Sequence, residues 1–219
     1  MVGNVKVIKM EGVKFKNIIF DLGGVIINLD MSKTIKAFEN FGISDFSKTY
    51  NQLTQTPLFD QFDKGLISEV DFFTELKKLY GLKQSLKDLE DAWNAMLLDF
   101  PAYRLQYLSE YKKQYRTFLL SNTNETHITE FEKNLSQNYS ISNLSSFFEK
   151  DYYSCRLGMR KPDEEIFDYV LNKNELFASE TVFIDDTIIH IEGARKTGIH
   201  SILLPKGNEF KGVLDSILT

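Results

Sequence analysis

FDLGGVI, residues 20–26, places a carboxylate directly after an apolar run and, one leucine further on, two glycines. Short apolar runs that are bounded by polar or turn residues are typical of buried parallel strands. Residues 17–21 form such a run, and Gly23 and Gly24 allow a tight turn where it ends. The stretch therefore predicts a buried strand that presents Asp21 at its carboxyl end.

Further runs of the same kind predict the rest of a sheet, at residues 117–121, 181–185, 200–204 and, more weakly, 151–155. Helical patterns lie between them, at residues 102–114, 126–135, 162–172 and 188–197. Pro162 marks the expected start of the third helix, and Gly198 the end of the last. This alternation predicts an α/β fold, a Rossmann-like core with a doubly wound parallel sheet.

The long interval between the first two strands, residues 22–116, is more than a single crossover needs and predicts an inserted domain. Apolar residues recur at helical spacing over residues 30–41, 69–80 and 85–98, and Ser68 with Asp71 resembles a capping box. Residues 61–65 are expected to form a polar turn, and Trp93 is expected to pack in a core. We therefore expect a core domain of residues 1–28 and 101–219 and a helical cap domain of residues 29–100.

The composition limits the possible partners. The 31 acidic and 26 basic residues give a net charge of −5, which argues against nucleic acid. Cys155 is the one cysteine of the sequence, so a disulfide framework or zinc cluster is excluded and a reducing compartment is expected. The first 12 residues mix charged and apolar side chains, and no stretch reaches membrane-spanning length. These features predict a cytoplasmic protein, a monomer or weak homo-oligomer, without a membrane partner.

Polar residues follow several of the predicted strands. Asp21, Ser121, Asp185 and Asp186 stand at strand ends, and Lys161 lies in a loop before a helix. Alone, the aspartates or Ser121 with Asn122 could be turn or helix-cap residues, and Lys161 a solvated surface lysine. Because the carboxyl ends of parallel strands meet at one edge of a doubly wound sheet, we expect these residues to face a single crevice.

Three carboxylates near one point require a positive partner. Two like charges about 4 Å apart repel by about 4 kcal/mol at an effective dielectric constant near 20. Mg²⁺ fits such a site because it prefers oxygen ligands and leaves coordination positions for water and a phosphate oxygen. Lys161 would add a second positive charge, and Ser121 with nearby backbone N–H groups would donate to phosphate oxygens. Gly23 and Gly24 are expected to leave room for the phosphate or the metal above Asp21.

The sequence resembles the haloacid dehalogenase-like hydrolase superfamily, whose members are mostly magnesium-dependent phosphatases. The resemblance spans almost the whole chain and rests on FDLGGVI (20–26), LLSNTN (119–124), LGMRKPDEEIF (157–167) and TVFIDDTIIHIEGA (181–194). Within the superfamily the chain looks most like the bacterial α-D-glucose-1-phosphate phosphatase group. The resemblance implies hydrolysis of a small phosphorylated metabolite, a sugar phosphate above all, through an aspartyl-phosphate.

The resemblance also implies a role for each site residue. Asp21 would be the nucleophile and a magnesium ligand, and the carbonyl of Gly23 a second ligand. Asp186 would complete the metal site, with Asp185 bound directly or through water. Ser121 and the backbone of Asn122 would hold the transferring phosphoryl group, and Lys161 would neutralise its oxygens. The inserted helices would close over the crevice as a cap.

Two departures from the family pattern leave other functions open. Most phosphatases of the superfamily have a second aspartate where this chain has Gly23, so proton transfer is unassigned. His190 stands where many relatives have an acidic or amide residue, and we expect it to be a helix residue beside the site or a neighbour that tunes the metal ligands. His127 and His200 receive no role. The competing functions are an idle relative that binds a phosphorylated ligand or a protein, and a metal-independent haloacid dehalogenase, against which Asp185 and Asp186 argue.

Overall fold

The computed structural model describes residues 14–44, 46–49 and 57–218. The expectation for the first 12 residues lies outside the described residues. In the described part of the chain five parallel strands form one sheet in the order β3-β2-β1-β4-β5. The strands are β1 Asn17–Phe20, β2 Arg116–Ser121, β3 Lys150–Tyr153, β4 Thr181–Asp185 and β5 His200–Leu203.

The register of the sheet sets the place of the candidate site. Strand β1 lies at the centre, and Phe20 is paired with Leu119 of β2 on one side and with Ile184 of β4 on the other. The three strands therefore end side by side. Because parallel strands expose their carboxyl ends at one edge, the residues that follow them must share a crevice.

Helices account for most of the remaining described residues. The first five lie within residues 31–94: α1 Met31–Asn40, α2 Phe46–Thr49, α3 Pro57–Asp63, α4 Glu69–Tyr80 and α5 Leu86–Asn94. Six more accompany the sheet: α6 Ala102–Lys112, α7 Glu125–Tyr139, α8 Ser154–Leu157, α9 Glu164–Lys173, α10 Ile188–Lys196 and α11 Phe210–Leu218. Two short 3₁₀ helices span Leu144–Phe147 and Ala178–Glu180. None of the described helices is long and apolar enough to cross a membrane.

Three apolar cores stabilise these elements. One lies on each face of the sheet, around Phe20 and around Phe183 respectively, so the sheet is covered by helices on both sides. The third is a cluster of aromatic side chains within α1–α5, which we call the helical unit, and it contains Trp93 as expected. The α/β Rossmann-like fold is thus confirmed. The exact division into core and cap domains stays a prediction.

Local signals in the sequence place several helix ends correctly. Ser68 accepts a hydrogen bond from the backbone N–H of Asp71 and begins α4 as its N-cap. The complete capping box is at Ser85 and Asp88, at the start of α5. Helix α10 ends just before Gly198, whose φ of +82° is the left-handed conformation expected of a helix terminator.

Three predicted boundaries are wrong. Helix α9 begins at Glu164 with Asp163 as N-cap, not at Pro162, because the preceding residues form a turn in which the backbone N–H of Asp163 donates to Arg160 at 3.1 Å. The strand predicted over residues 151–155 ends at Tyr153, and a turn of helix follows at Ser154–Leu157. The polar turn predicted over residues 61–65 begins only after α3 ends at Asp63.

The helix predicted over residues 85–98 ends at Asn94 because the next residues pair with another segment. The backbone N–H of Leu98 donates to Asn28, and the N–H of Asn28 donates to Asp99, each at 3.0 Å. Leu97 and Leu29 form an antiparallel bridge. The two segments that join the helical unit to the sheet therefore run side by side, and these inter-segment bonds replace the helical ones.

Candidate active site

The structure brings the predicted polar residues together at the carboxyl edge of the sheet. Asp21 follows β1, and its backbone N–H donates to Ile184 of β4 at 3.0 Å. Ser121 is the last residue of β2, and Asp186 follows β4 directly. A pocket above this edge is lined by Asp21, Gly23, Ser121, Asn122 and Asp186, with Lys161 and Asp185 completely buried beside Asp21.

Lys161 lies between two carboxylates. Its Nζ donates to Oδ1 of Asp21 at 2.6 Å and to Oδ2 of Asp185 at 2.7 Å. No part of Lys161 is exposed, which rules out the solvated surface lysine considered above. The neighbouring carboxylates raise the pKa of Lys161 although burial opposes this, so the amine is charged. A buried cation paired with two buried anions holds the three side chains in one arrangement.

The side chain of Asn122 positions the backbone of Lys161. Its Nδ2 donates to the carbonyl of Lys161 at 2.8 Å, and its Oδ1 accepts from the N–H of Lys161 at 2.9 Å. Two opposed hydrogen bonds fix the loop that precedes α9 against the end of β2. Asn122 therefore acts on Lys161 through its side chain, a contact that sequence reasoning did not find. The helix cap considered for Ser121 and Asn122 is made instead by Asn124, which begins α7.

Asp185 has hydrogen-bond partners on both oxygens. Oδ1 accepts from the backbone N–H of Thr187 at 2.8 Å, Oδ2 accepts from Lys161, and Nδ1 of His190 lies 3.0–3.1 Å from both. Because a carboxylate can only accept, His190 carries its proton on Nδ1. Burial would raise the pKa of Asp185, but Lys161 and His190 hold it down to about 2. His190 is thus a direct hydrogen-bond partner of Asp185, and that it tunes the metal ligands stays a prediction.

The environment of Asp21 stabilises the charged carboxylate less than that of Asp185 does. Burial and the neighbouring carboxylate of Asp185 raise the pKa of Asp21 to about 8, and Lys161 offsets only part of this. Burial and Asp185 also raise the pKa of Asp186. One more positive charge near Asp21 and Asp186 would keep both ionised at neutral pH.

The carboxylate cluster fits a magnesium ion. One oxygen from each of Asp21, Asp185 and Asp186 lies within 4.8 Å of the other two. Mg²⁺ prefers such hard oxygen ligands at short distances, and Asp21 and Asp186 both face the pocket. The residues present therefore suit the predicted cofactor, Mg²⁺.

The two glycines after Asp21 make room for protein side chains, and that they also leave space for phosphate or metal stays a prediction. Gly24 has a φ of +71°, and a Cβ there would lie 2.2 Å from Oδ2 of Asp186. A Cβ at Gly23 would meet the side chain of Leu29 at 2.6 Å. Gly24 is thus required both for the backbone turn and for the position of Asp186.

The far end of the pocket was not predicted from the sequence. Apolar side chains that include Met31, Met96 and Phe131 line it together with Asp63, Asn124, His127 and Arg160. His127 is buried, and its Nδ1 lies 2.8 Å from Oδ1 of Asn94. Its ring lies 5.3 Å from that of Trp93 at an interplanar angle of 1°. No spacing in the sequence connects His127 with these partners on α5.

Comparison with known proteins places the chain in a family. The family model for haloacid dehalogenase-like hydrolases matches residues 18–204. D-ribitol-5-phosphate phosphatase of Bacteroides thetaiotaomicron is 30% identical over 207 residues, which cover 93% of this chain and 98% of that protein. A crystal structure of a HAD family enzyme from the same organism, an aspartate-to-alanine variant in complex with magnesium and inorganic phosphate, is also similar. Its TM-score is 0.86 at 32% identity, with 91% of this chain and 98% of that chain covered.

A third similar protein is a predicted HAD-like family hydrolase from Porphyromonas gingivalis, with a TM-score of 0.84 and 31% identity over 92% of this chain and 97% of that chain. The chain belongs to the haloacid dehalogenase-like hydrolase family, which confirms the resemblance of the four motifs. The prediction of an enzyme of the phosphatase type that uses magnesium is confirmed as well.

Proposed function

We propose that the chain hydrolyses a small phosphorylated metabolite, a sugar or polyol phosphate, through a phosphoryl group carried on Asp21. The observation that carries this proposal is the environment of Asp21, a carboxylate at the floor of a pocket with Nζ of Lys161 at 2.6 Å. The similarity to D-ribitol-5-phosphate phosphatase supports a polyhydroxylated substrate. The net charge of −5 supports a small metabolite rather than nucleic acid as the substrate. We also propose that the protein is located in the cytoplasm and is a monomer or a weak homo-oligomer.

The roles of the residues follow from their positions. Asp21, Asp186 and the carbonyl of Gly23 would hold Mg²⁺, which when bound would neutralise carboxylate and phosphate oxygens. Because Lys161 and His190 already occupy the oxygens of Asp185, we assign Asp185 to holding Lys161 and to a ligand role only through water. Lys161 would stabilise the negative charge on the phosphoryl oxygens, and Ser121 would donate to one of them.

The reaction would proceed in two displacements at phosphorus. An oxygen of Asp21 forms a bond to phosphorus while the bond between phosphorus and the leaving oxygen breaks. Water then attacks the same phosphorus, and the carboxylate of Asp21 is released with its charge. One water is consumed overall, its hydroxyl going to phosphate and its remaining proton to the leaving oxygen. Ester oxygens that leave readily are favoured, since position 23 has no acidic side chain.

The test uses p-nitrophenyl phosphate, whose leaving group needs no proton. We expect turnover with magnesium, loss of turnover in EDTA, and a loss of about 10⁴-fold in kcat for Asp21→Asn. Asp91→Asn, at an exposed aspartate of α5, is the matched control and is expected to keep the wild-type rate. Full activity of Asp21→Asn would exclude the covalent mechanism. Turnover that is indifferent to EDTA would contradict the role of magnesium, and no turnover with magnesium would favour the idle relative or the metal-independent dehalogenase.

A further inference from the structure

His127 is held rigidly at the wall of the pocket by residues of two units of the fold. It lies in the first turn of α7, where its backbone N–H donates to the side chain of Asn124 at 3.1 Å. The indole N–H of Trp93 also donates to Asn124, at 3.4 Å. The start of α7 is therefore fastened to α5 of the helical unit, and His127 lies at the junction.

The ring of His127 has a defined tautomer. Oδ1 of Asn94 can only accept a hydrogen bond, so Nδ1 of His127 at 2.8 Å carries the proton and Nε2 keeps a lone pair. Burial lowers the pKa of His127 to about 3, so the ring is neutral at physiological pH. Trp93 covers one face of the ring in a parallel stack. A 180° flip of the ring would keep the stack on Trp93 but would lose the hydrogen bond from Nδ1 to Asn94, so this orientation is favoured.

The edge that carries Nε2 is the part of the ring that these contacts leave open. Within the described residues no protein group lies within hydrogen-bond distance of Nε2, while His127 belongs to the pocket lining. Nε2 is not among the fully buried polar atoms that lack a partner, so it is open to the pocket, and a ligand hydroxyl that donates to it takes the place of solvent there. Carbonyl, ether and carboxylate oxygens cannot donate, whereas a hydroxyl group can.

The chemistry of the surrounding wall favours the same kind of ligand. Met31, Met96 and Phe131 provide apolar surface at this end of the pocket, and Asp63 provides a second acceptor. A carbon chain that carries hydroxyl groups would place its C–H surfaces against the apolar residues and its hydroxyls against Nε2 and the carboxylate. An unsubstituted alkyl chain would offer Nε2 of His127 no donor, whereas Asp63 keeps its contacts with Asn124 and Arg160 in either case.

We propose that His127 determines substrate specificity, its Nε2 accepting a hydrogen bond from a hydroxyl group of the leaving alcohol. This inference rests on the proposed phosphatase function and deepens it. His127 is not the proton donor that the glycine at position 23 leaves unassigned, since a donor at this edge would need hydrogen on Nε2. Its contribution is to the choice of the alcohol, at the end of the pocket opposite the reacting phosphorus.

The test compares two substrates of equal carbon number. We would measure kcat/KM with magnesium for D-ribitol 5-phosphate, or for whichever member of a sugar- and polyol-phosphate panel is turned over fastest, and for n-pentyl phosphate, which lacks hydroxyl groups. The wild type is expected to prefer the hydroxylated substrate, and His127→Phe, which keeps an aromatic ring against Trp93, to reduce this preference about tenfold to a hundredfold. This preference is the ratio of the two kcat/KM values, so a general loss in the rate of phosphoryl transfer does not change it.

The same assay provides a control variant and the results that would contradict the role of His127. His200→Phe, at the start of β5, is the matched control and is expected to keep the wild-type ratio. An unchanged ratio in His127→Phe, or a wild type without preference for the hydroxylated substrate, would overturn the role of His127. Failure of the wild type to hydrolyse p-nitrophenyl phosphate would instead reject the phosphatase function, and the inference would fall with it.

A second measurement does not depend on the folding of the His127 variant. In Asp21→Asn protein labelled with ¹⁵N at its three histidines, with magnesium, the Nε2 resonance of His127 is expected to shift on addition of the hydroxylated substrate. Pentyl phosphate is expected to leave it in place, and the resonances of His200 should respond to neither. An Nε2 resonance of His127 that is the same with and without the hydroxylated substrate would contradict the proposal.

Discussion

The two ends of the pocket are built by different means. At the sheet end, Asp21, Lys161 and Asp185 are held by charge pairs at 2.6–2.7 Å, and their backbone positions follow from adjacent parallel strands. At the far end, His127 and Trp93 are held by stacking and by neutral hydrogen bonds between α7 and α5. The sheet end thus concentrates carboxylates that one further cation completes, and the far end presents the neutral acceptor of His127 beside the paired charges of Asp63 and Arg160.

Removing the cation of the sheet end should have the largest effect on stability. Lys161→Met keeps the length of the side chain but leaves the carboxylates of Asp21 and Asp185 buried without their cation. We expect a loss of about 3–5 kcal/mol in the free energy of unfolding in EDTA, and a smaller loss with magnesium because the metal replaces part of the missing charge. Urea denaturation of both proteins, with and without magnesium, measures this difference.

Lys133→Met is the matched control for that experiment. Lys133 is an exposed lysine on α7 whose Nζ lies 3.4 Å from Glu130, and its loss should change stability by no more than about 0.5 kcal/mol. If Lys161→Met were as stable as Lys133→Met in EDTA, the charge cluster would not hold the sheet end together, and the contrast between the two ends would be lost.

A smaller effect is expected when the shape of the sheet end is changed without touching a charge. Gly24→Ala adds a Cβ that would lie 2.2 Å from Oδ2 of Asp186, so Asp186 must move away from Asp21. We expect magnesium affinity and kcat/KM to fall by about 10–100-fold, the range typical when a metal ligand is displaced by its surroundings. Magnesium titration by calorimetry and steady-state kinetics give the two values.

Gly81→Ala separates the steric effect of that methyl group from backbone strain. Gly81 ends α4 with a φ of +63°, close to that of Gly24, and a Cβ there meets no atom within 4 Å. The variant should lose about 1 kcal/mol of stability through strain and keep wild-type magnesium affinity. Equal losses of affinity in the two variants would contradict the role assigned to Gly24.

The same contrast explains how much the sequence could predict. Asp21, Ser121 and Asp185 end short apolar runs, and parallel pairing brings strand ends together whatever the details of packing, so their convergence was predictable. His127 could not be found in this way. Its partners Trp93 and Asn94 are more than 30 residues away on a helix of another unit, and their meeting depends on how α5 packs against α7.

Errors in the helix boundaries have a related cause. Apolar periodicity continues past Asn94, but the backbone of residues 96–98 bonds to residues 28–30 instead of to its own preceding turn. A pattern along the chain reports local propensity and is silent on such distant partners. Asn122 illustrates the same limit. Its side-chain amide forms hydrogen bonds with the backbone of Lys161, 39 residues away, and not with the start of the following helix, α7.

The smallest predicted effect tests whether His127, at the far end of the pocket, is neutral in the folded protein, through the pH dependence of stability. Burial lowers the pKa of His127 from 6.5 to about 3. Below pH 6.5 this histidine is therefore protonated in the unfolded chain but stays neutral in the folded protein until the pH approaches 3. The stability that this histidine contributes is complete above pH 6.5 and is lost as the pH falls towards 3, at about 1.4 kcal/mol per pH unit. The stability difference between wild type and His127→Phe should therefore decrease by about 2 kcal/mol between pH 6.5 and 5, since the carboxylates common to both proteins cancel. Urea denaturation of the two proteins at these pH values measures it, and a difference that stayed constant would mean that His127 takes up its proton in the folded protein as readily as in the unfolded chain, so that the far end does not hold it neutral.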